Sequence, residues 1–407
     1  MEGGVISVPN IHPKIHLRRT KRVLAGHLWI FSNEIYEGLK NYAPGSVVDV
    51  YGRQEEFLGT GYINPNSLIA VRLLSRTENE IRNGINKDFL RKRLTQAIEL
   101  RKKLFASKEN LPDAVRLVYS EGDYLPGLIV DKYGDCLVLQ FLTYGMEALR
   151  EHILELMDEM LNPRLMVLRN DGRSRSLEGL PLGKEVLKGD PGSLPVINEE
   201  GILFEIDPLE GQKTGFFLDQ RDNRTQLRKL IRSGRGLDLF CYSGGWALNA
   251  AYSGADVTGV DESERAVGYA GRNAGLNSLK GTASFIKANV FSHLDSELAA
   301  GEKRYDFIVL DPPAFVKSAA RIKEAEKAYR QLNNSCMKLI KPGGILASSS
   351  CSYHMGREMF VNMLNSAARD AGRSLRLISL SSQCRDHPIL LSMPETEYLK
   401  CAFLIVD

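Results

Sequence analysis

From about Ile197 onward, short apolar runs alternate with amphipathic segments, and this rhythm restricts the fold more than any other feature of the chain. Leu237–Phe240, Asp256–Val260, Ser284–Lys287, Phe307–Leu310 and Gly344–Ser349 read as buried strands, with helices predicted at Trp246–Ser253, Glu262–Leu276 and Ile322–Ile340. Strand-helix alternation of this kind yields an α/β architecture, a parallel, doubly wound sheet with right-handed crossovers. Ligands of such sheets lie beyond the carboxyl ends of the strands, so chemically capable residues are sought there.

The preceding half has a different texture. Lys14, Arg18, Arg19, Lys21 and Arg22 crowd into nine residues, followed by Trp29 and Phe31. Alternating runs at Ser46–Tyr51, Phe57–Ile63 and Ile69–Leu73, separated by Pro44-Gly45, Gly52 and Asn64-Pro65, predict a small β-rich domain over 1–76. After a polar linker, a helix over Lys87–Ala106, strands at Leu117–Tyr119, Gly127–Asp131, Cys136–Leu142 and Leu165–Arg169 and a helix over Met146–Leu161 predict a small central α/β domain over 77–190. The Gly/Pro-rich stretch 189–195 marks the boundary to a third domain, 191–407.

Composition narrows the class of protein. With 43% hydrophobic and 25% charged residues, the 407-residue chain has the make-up of a soluble folded protein, and a net charge of +3 leaves any polyanion-binding surface to local clustering. No apolar run approaches the about 18 residues of a membrane helix, and a cytoplasmic location without membrane association is expected. Six cysteines without a C-x-x-C pair read as free thiols, and no metal centre is expected.

The first strand runs into Asp238-Leu-Phe-Cys-Tyr-Ser-Gly-Gly-Trp246. Its paired glycines let backbone approach a ligand closely, yet it lacks the G-x-G-x-x-G of a dinucleotide site, and an acid occupies the approach. Negative charge there suits a cationic ligand. The second strand ends in Asp261, seventeen residues past Gly244, near the offset at which a carboxylate grips a ribose diol. An adenosine bearing a sulfonium and no phosphate, S-adenosylmethionine, satisfies both requirements. Asp238, Phe240, Ser243, Gly244 and Asp261 are its candidate residues, with Asn289 after the third strand as a candidate adenine contact. The plainer alternative is a tight turn at Gly244-Gly245 and helix or turn capping by Asp261 and Asn289.

The fourth strand leads into Asp311-Pro312-Pro313-Ala314-Phe315, and the fifth into Ser350-Cys351-Ser352. A carboxyl followed by two rigid prolines and a phenyl ring can hold a planar base; Lys317 stands just beyond. Cys351 sits among small polar residues at a strand end, unlike Cys336 and Cys401, which have apolar neighbours; Cys241 more plausibly lines the cofactor loop. A thiol has a specific use in methyl transfer. Carbon 5 of a pyrimidine is a poor nucleophile, and addition of a thiolate to carbon 6 makes it enamine-like. Asp311 would stabilise the charge developing at nitrogen 3, and Lys317 and Arg321 could favour the thiolate.

These motifs resemble those of the bacterial large-subunit ribosomal RNA cytosine-5 methyltransferases, in which a PUA domain and a small central α/β domain precede a Rossmann-like methyltransferase domain. The resemblance spans nearly the whole chain: Gly26-His-Leu-Trp-Ile-Phe-Ser32, Gly122-Asp-Tyr-Leu-Pro-Gly-Leu-Ile-Val-Asp131, Thr214-Gly-Phe-Phe-Leu-Asp-Gln-Arg-Asp-Asn-Arg224, Asp311-Pro-Pro-x-Phe315 and Ser350-Cys351-Ser352. It implies that Cys351 is the nucleophile, that Asp311 orients the base with Pro312, Phe315 and Lys317, and that Asp238, Gly244, Asp261, Asn289 and Gln220 hold S-adenosylmethionine. It also implies RNA binding by the first domain through Lys14, Arg18 and Arg19, ribosomal RNA as partner, and 5-methylcytosine as product; a homodimer is left open. A guanine-nitrogen methyltransferase and a non-catalytic RNA-binding assembly factor are the alternatives, with a dinucleotide-dependent oxidoreductase behind them.

Overall fold

Short β-prone runs near the amino terminus pair into a five-stranded sheet formed by Lys14–His16 (β1), Trp29–Phe31 (β2), Val47–Tyr51 (β3), Phe57–Ile63 (β4) and Ile69–Ser75 (β5), in the order β1-β3-β4-β5-β2. The computed structural model describes residues 12–81, 84–105, 111–301, 304–315 and 322–407. Alternation places Val48 and Val50 in a core with Ile15, Leu28, Ile30, Val71 and Leu73. At Gly61 a Cβ would lie 2.1 Å from the carbonyl oxygen of Arg72, so close approach of β4 to β5 requires glycine. His12 and His16 stand four residues apart, a ligand-like spacing, but His12 faces Asp49 and His16 bridges Glu37 and Glu55.

A second five-stranded sheet follows: Ala114–Tyr119 (β6), Leu128–Tyr133 (β7), Cys136–Phe141 (β8), Leu165–Asn170 (β9) and Gly183–Lys188 (β10), ordered β10-β9-β8-β7-β6. The helix expected over Met146–Leu161 is two, Tyr144–Ala148 and Arg150–Leu161, breaking at Leu149. They form the crossover that makes β8 and β9 parallel.

The described residues group into two compact units. The first takes the chain up to Pro195 together with Asp207–Gly215 and Asp386–Thr396; the second is Val196–Ile206, Phe216–Arg385 and Glu397–Asp407. The expected boundary near residue 76 therefore falls inside one unit. There, buried Glu178 accepts from Arg72 at 2.8 Å, Ser67 at 2.8 Å and Asn64 at 2.9 Å, and Tyr62 donates to the Pro126 carbonyl. Segment 386–396, expected in the third domain, lies in the first unit because Arg101 donates to the Asp386 carbonyl at 2.7 Å and Tyr119 to that of Thr396 at 2.9 Å.

The second unit opens with a hairpin, Val196–Glu199 (β11) and Ile202–Glu205 (β12). Its main sheet comprises Arg235–Leu239 (β13), Asp256–Asp261 (β14), Ala283–Lys287 (β15), Tyr305–Leu310 (β16), Ile340–Ser350 (β17), Leu375–Ser381 (β18) and Lys400–Val406 (β19), in the order β15-β14-β13-β16-β17-β19-β18. The first five in that order are parallel, as expected; β19 was not anticipated and runs antiparallel to both β17 and β18. Mostly parallel sheets that include an antiparallel strand are common among large sheets. Strand order reverses at β13, with β14 on one side and β16 on the other, so a crevice opens beyond the carboxyl ends of β13 and β16. Among the described residues, no helix is long and apolar enough to cross a membrane.

Candidate active site

The turn after β13 is built on left-handed backbone, with φ of +64° at Phe240, +48° at Tyr242 and +84° at Gly244. Such conformations cost energy at the first two positions and favour glycine at the third. The turn starts the helix Gly245–Ser253, whose Ala247 N–H donates to Asp238 Oδ2 at 2.9 Å. Asp238 is fully buried, and its Oδ1 has no hydrogen-bond partner. Burial, reinforced by the charges of Asp311 and Asp261, pushes its carboxyl up to about 8. The buried Ser243 hydroxyl also lacks a partner.

Asp261 ends β14, and its carboxylate accepts from the N–H groups of Tyr242 at 3.0 Å and Ser263 at 2.9 Å. It thereby ties the turn to the adjacent strand end. The cap of the following helix is Ser263, not Asp261. Asn289 caps its helix, accepting from Phe291 and Ser292 N–H at 3.1 and 3.3 Å. That geometry accounts for Asn289 as a capping residue and leaves its exposed amide nitrogen as what it offers a ligand.

Beyond β16, Asp311 is held from two sides: Gln220 Nε2 donates to Oδ1 at 3.0 Å and Trp246 Nε1 to Oδ2 at 3.0 Å. Gln220 is buried and also donates to Ser349 Oγ at 3.2 Å, while its own oxygen accepts from Asn223. Cys351 follows β17, is partly exposed, and its thiol points to the Pro312 carbonyl at 3.9 Å. Phe315 packs edge-on against Tyr329 at 5.0 Å and Phe240 at 6.4 Å between ring centres. The structure thus brings Gln220, Trp246, Asp311, Pro312, Ser349 and Cys351 to one crevice, with Asp238 and Asp261 on the strands beside it. Lys317 and Arg321 lie outside the described residues.

The other five cysteines are buried. Burial pushes the Cys136 and Cys401 thiols up to about 12, and those of Cys241 and Cys336 up as well. Trp246 and Lys400 were missed by sequence reasoning. Trp246 directly follows the glycine pair, and Lys400 is a lone cation heading the apolar run 401–406, a signal visible in the sequence.

Lys14, Arg18 and Arg19 belong to the first unit. Lys14 Nζ lies 4.4 Å from the Tyr51 ring centre and 3.7 Å from Glu55. Arg18 and Arg19 line a concavity of about 760 Å³ together with Arg22, Arg53, Phe31 and Leu68. Arg22 stacks on Phe31 at 4.6 Å, an arrangement of cation and ring suited to nucleic-acid phosphates and bases.

The donor set of the crevice fits S-adenosylmethionine: an unpartnered buried carboxyl oxygen at Asp238 and a buried hydroxyl at Ser243, with the acids Asp261 and Asp311 near the turn. Similarity to known proteins agrees. Residues 14–76 match the PUA-like domain family and residues 165–389 the S-adenosylmethionine-dependent methyltransferase family. The chain is 36% identical to the ribosomal RNA large subunit methyltransferase I of Pseudoalteromonas atlantica, covering 95% of this chain and 97% of that protein. It is likewise 36% identical to its namesake in Klebsiella pneumoniae, covering 94% and 95%. A solved structure described as a candidate methyltransferase complexed with SAH shares the fold, with a TM-score of 0.82 at 22% identity over 97% of this chain and all of the other. The chain belongs to the S-adenosylmethionine-dependent methyltransferases, in the family whose relatives carry the name ribosomal RNA large subunit methyltransferase I.

Proposed function

We propose that this protein forms 5-methylcytosine in large-subunit ribosomal RNA, in the cytoplasm, through a covalent bond between Cys351 and the base. The observation that carries the reading is the placement of one partly exposed thiol against the Pro312 carbonyl of the Asp311-Pro312-Pro313 loop. The names of the relatives support ribosomal RNA as substrate.

Asp238, Phe240, Ser243, Gly244 and Asp261 would hold S-adenosylmethionine, with Asn289 and Gln220 at its margins; when bound, it supplies an electrophilic methyl group. Every other part of the chemistry falls to the chain. Asp311, fixed by Gln220 and Trp246, orients the nitrogen-3 edge of cytosine, while Pro312 and Phe315 wall the ring. The Cys351 thiolate adds to carbon 6, and the electron pair displaced toward nitrogen 3 takes up a proton donated there by Asp311 in its carboxylic acid form. Carbon 5 is then nucleophilic enough to be methylated. Loss of its proton expels the thiolate and restores the aromatic ring. Lys14, Arg18 and Arg19 would contact RNA phosphates.

Cys351→Ala should abolish 5-methylcytosine in product RNA, read by nucleoside mass spectrometry, while S-adenosylmethionine binding by calorimetry stays within about twofold. Retained methylation in this variant, or a methylated guanine as wild-type product, overturns the reading.

A further inference from the structure

The second unit buries an amine that the scheme above does not use. Lys400 heads β19, is 3% exposed, and stands in register opposite Ser350, the residue before Cys351. Lysine is almost never this buried without an anionic partner. Its Nζ donates to the carbonyl oxygens of Ser352 at 2.6 Å and Tyr398 at 2.8 Å, which satisfy hydrogen bonds but leave the charge uncompensated. Among the described residues no carboxylate lies within ion-pairing distance of it.

Among the described residues, the charged groups facing this amine are few. Glu397 attracts it but is engaged by Arg357, Nη2 to Oε1 at 2.7 Å, and Arg357 itself repels it. The other group of opposite sign among the described residues is the Cys351 sulfur. Burial pushes the Lys400 ammonium down to about 8, and the sulfur acts against that shift. Tyr329, whose hydroxyl burial keeps neutral, also faces the sulfur. A neutral hydroxyl cannot balance a thiolate, which needs a cation beside it.

We propose that Lys400 is the positioning residue that makes Cys351 a thiolate. The S–H bond breaks with its proton passing to solvent, the electron pair stays on sulfur, and the Lys400 ammonium supplies the balancing positive charge. The same pair is restored when the ring expels the sulfur. This inference rests on the covalent reading above, but its test does not.

The full chain, without RNA or S-adenosylmethionine, is alkylated with iodoacetamide from pH 5 to 10, and the rate at Cys351 is followed by peptide mass spectrometry. The wild-type midpoint should lie at least one pH unit below the about 8.5 of an ordinary cysteine. Lys400→Met should raise it above that value and slow alkylation at pH 7 at least tenfold. A wild-type midpoint at or above the ordinary value overturns the proposal whether or not the variant folds, and so does a Lys400→Met profile superimposable on the wild type. Methylation by Cys351→Ala would instead sink the covalent reading and leave this titration untouched.

Discussion

Asp238 offers a quantitative test of how the crevice recognises a cation. Its carboxyl is pushed up to about 8 chiefly by burial, with Oδ1 unpartnered and the Ala247 N–H and the Arg224 charge opposing the shift. At pH 7 about nine-tenths of the unliganded protein would therefore carry a proton there. A ligand that places positive charge against this oxygen stabilises the carboxylate and drives the proton off. Binding of S-adenosylmethionine at pH 7 should release roughly 0.9 proton, and affinity should fall about tenfold per pH unit below pH 8. The released proton is measured by titration calorimetry in buffers of different ionisation enthalpy. Heats independent of buffer, with a flat affinity between pH 6 and 9, would refute this reasoning. Stability moves in a defined direction too. The folded carboxyl titrates well above the unfolded one, so the native state holds the extra proton between about pH 4 and 8, and stability declines with rising pH by up to about 1.4 kcal/mol per unit. Asp238→Asn should remove both that decline and the proton release.

Asp311→Asn places an amide where Gln220 and Trp246 both donate, so one donor loses its acceptor and the developing charge loses its stabilising group; single-turnover methylation should slow by about 10² to 10³. An unchanged rate would remove Asp311 from the mechanism. Replacing Arg18, Arg19 and Arg53 together by Ala should weaken RNA binding and reduce the slope of log affinity against log salt by about 2 to 3, measured by filter binding; a slope equal to the wild type would show that the concavity holds no phosphate.

The parts of the site legible in the sequence share a physical origin. Buried parallel strands must be continuous apolar runs, so a polar residue at their carboxyl ends stands out, as Asp238, Asp261, Asp311 and Cys351 do. What stayed hidden depends on pairing between distant segments. Lys400 meets the neighbourhood of Cys351 only because β19 enters beside β17, and no local periodicity encodes that register. The joining of residues 386–396 to the first unit hangs on buried bonds such as Arg101 to Asp386, contacts between residues remote in sequence. Helix existence was clear from spacing, but the break at Leu149 was not, since its neighbours keep the same apolar stripe on both sides. Asn289 is a mixed case: its side-chain oxygen is committed to its own helix, which leaves the amide nitrogen for the adenine contact expected of that position.

The seating of β19 between β17 and β18 carries a further implication for how the chain matures. Until that late segment threads into its slot, the long flank of β17 presents an unpaired row of amides and carbonyls, the kind of rim to which other chains stick. A ribosome that stalls before making Lys400–Val406 would release a protein with every cofactor-side turn already translated yet a sticky, unzipped margin. Quality control should find such truncated products by their aggregation rather than by lost methylation alone.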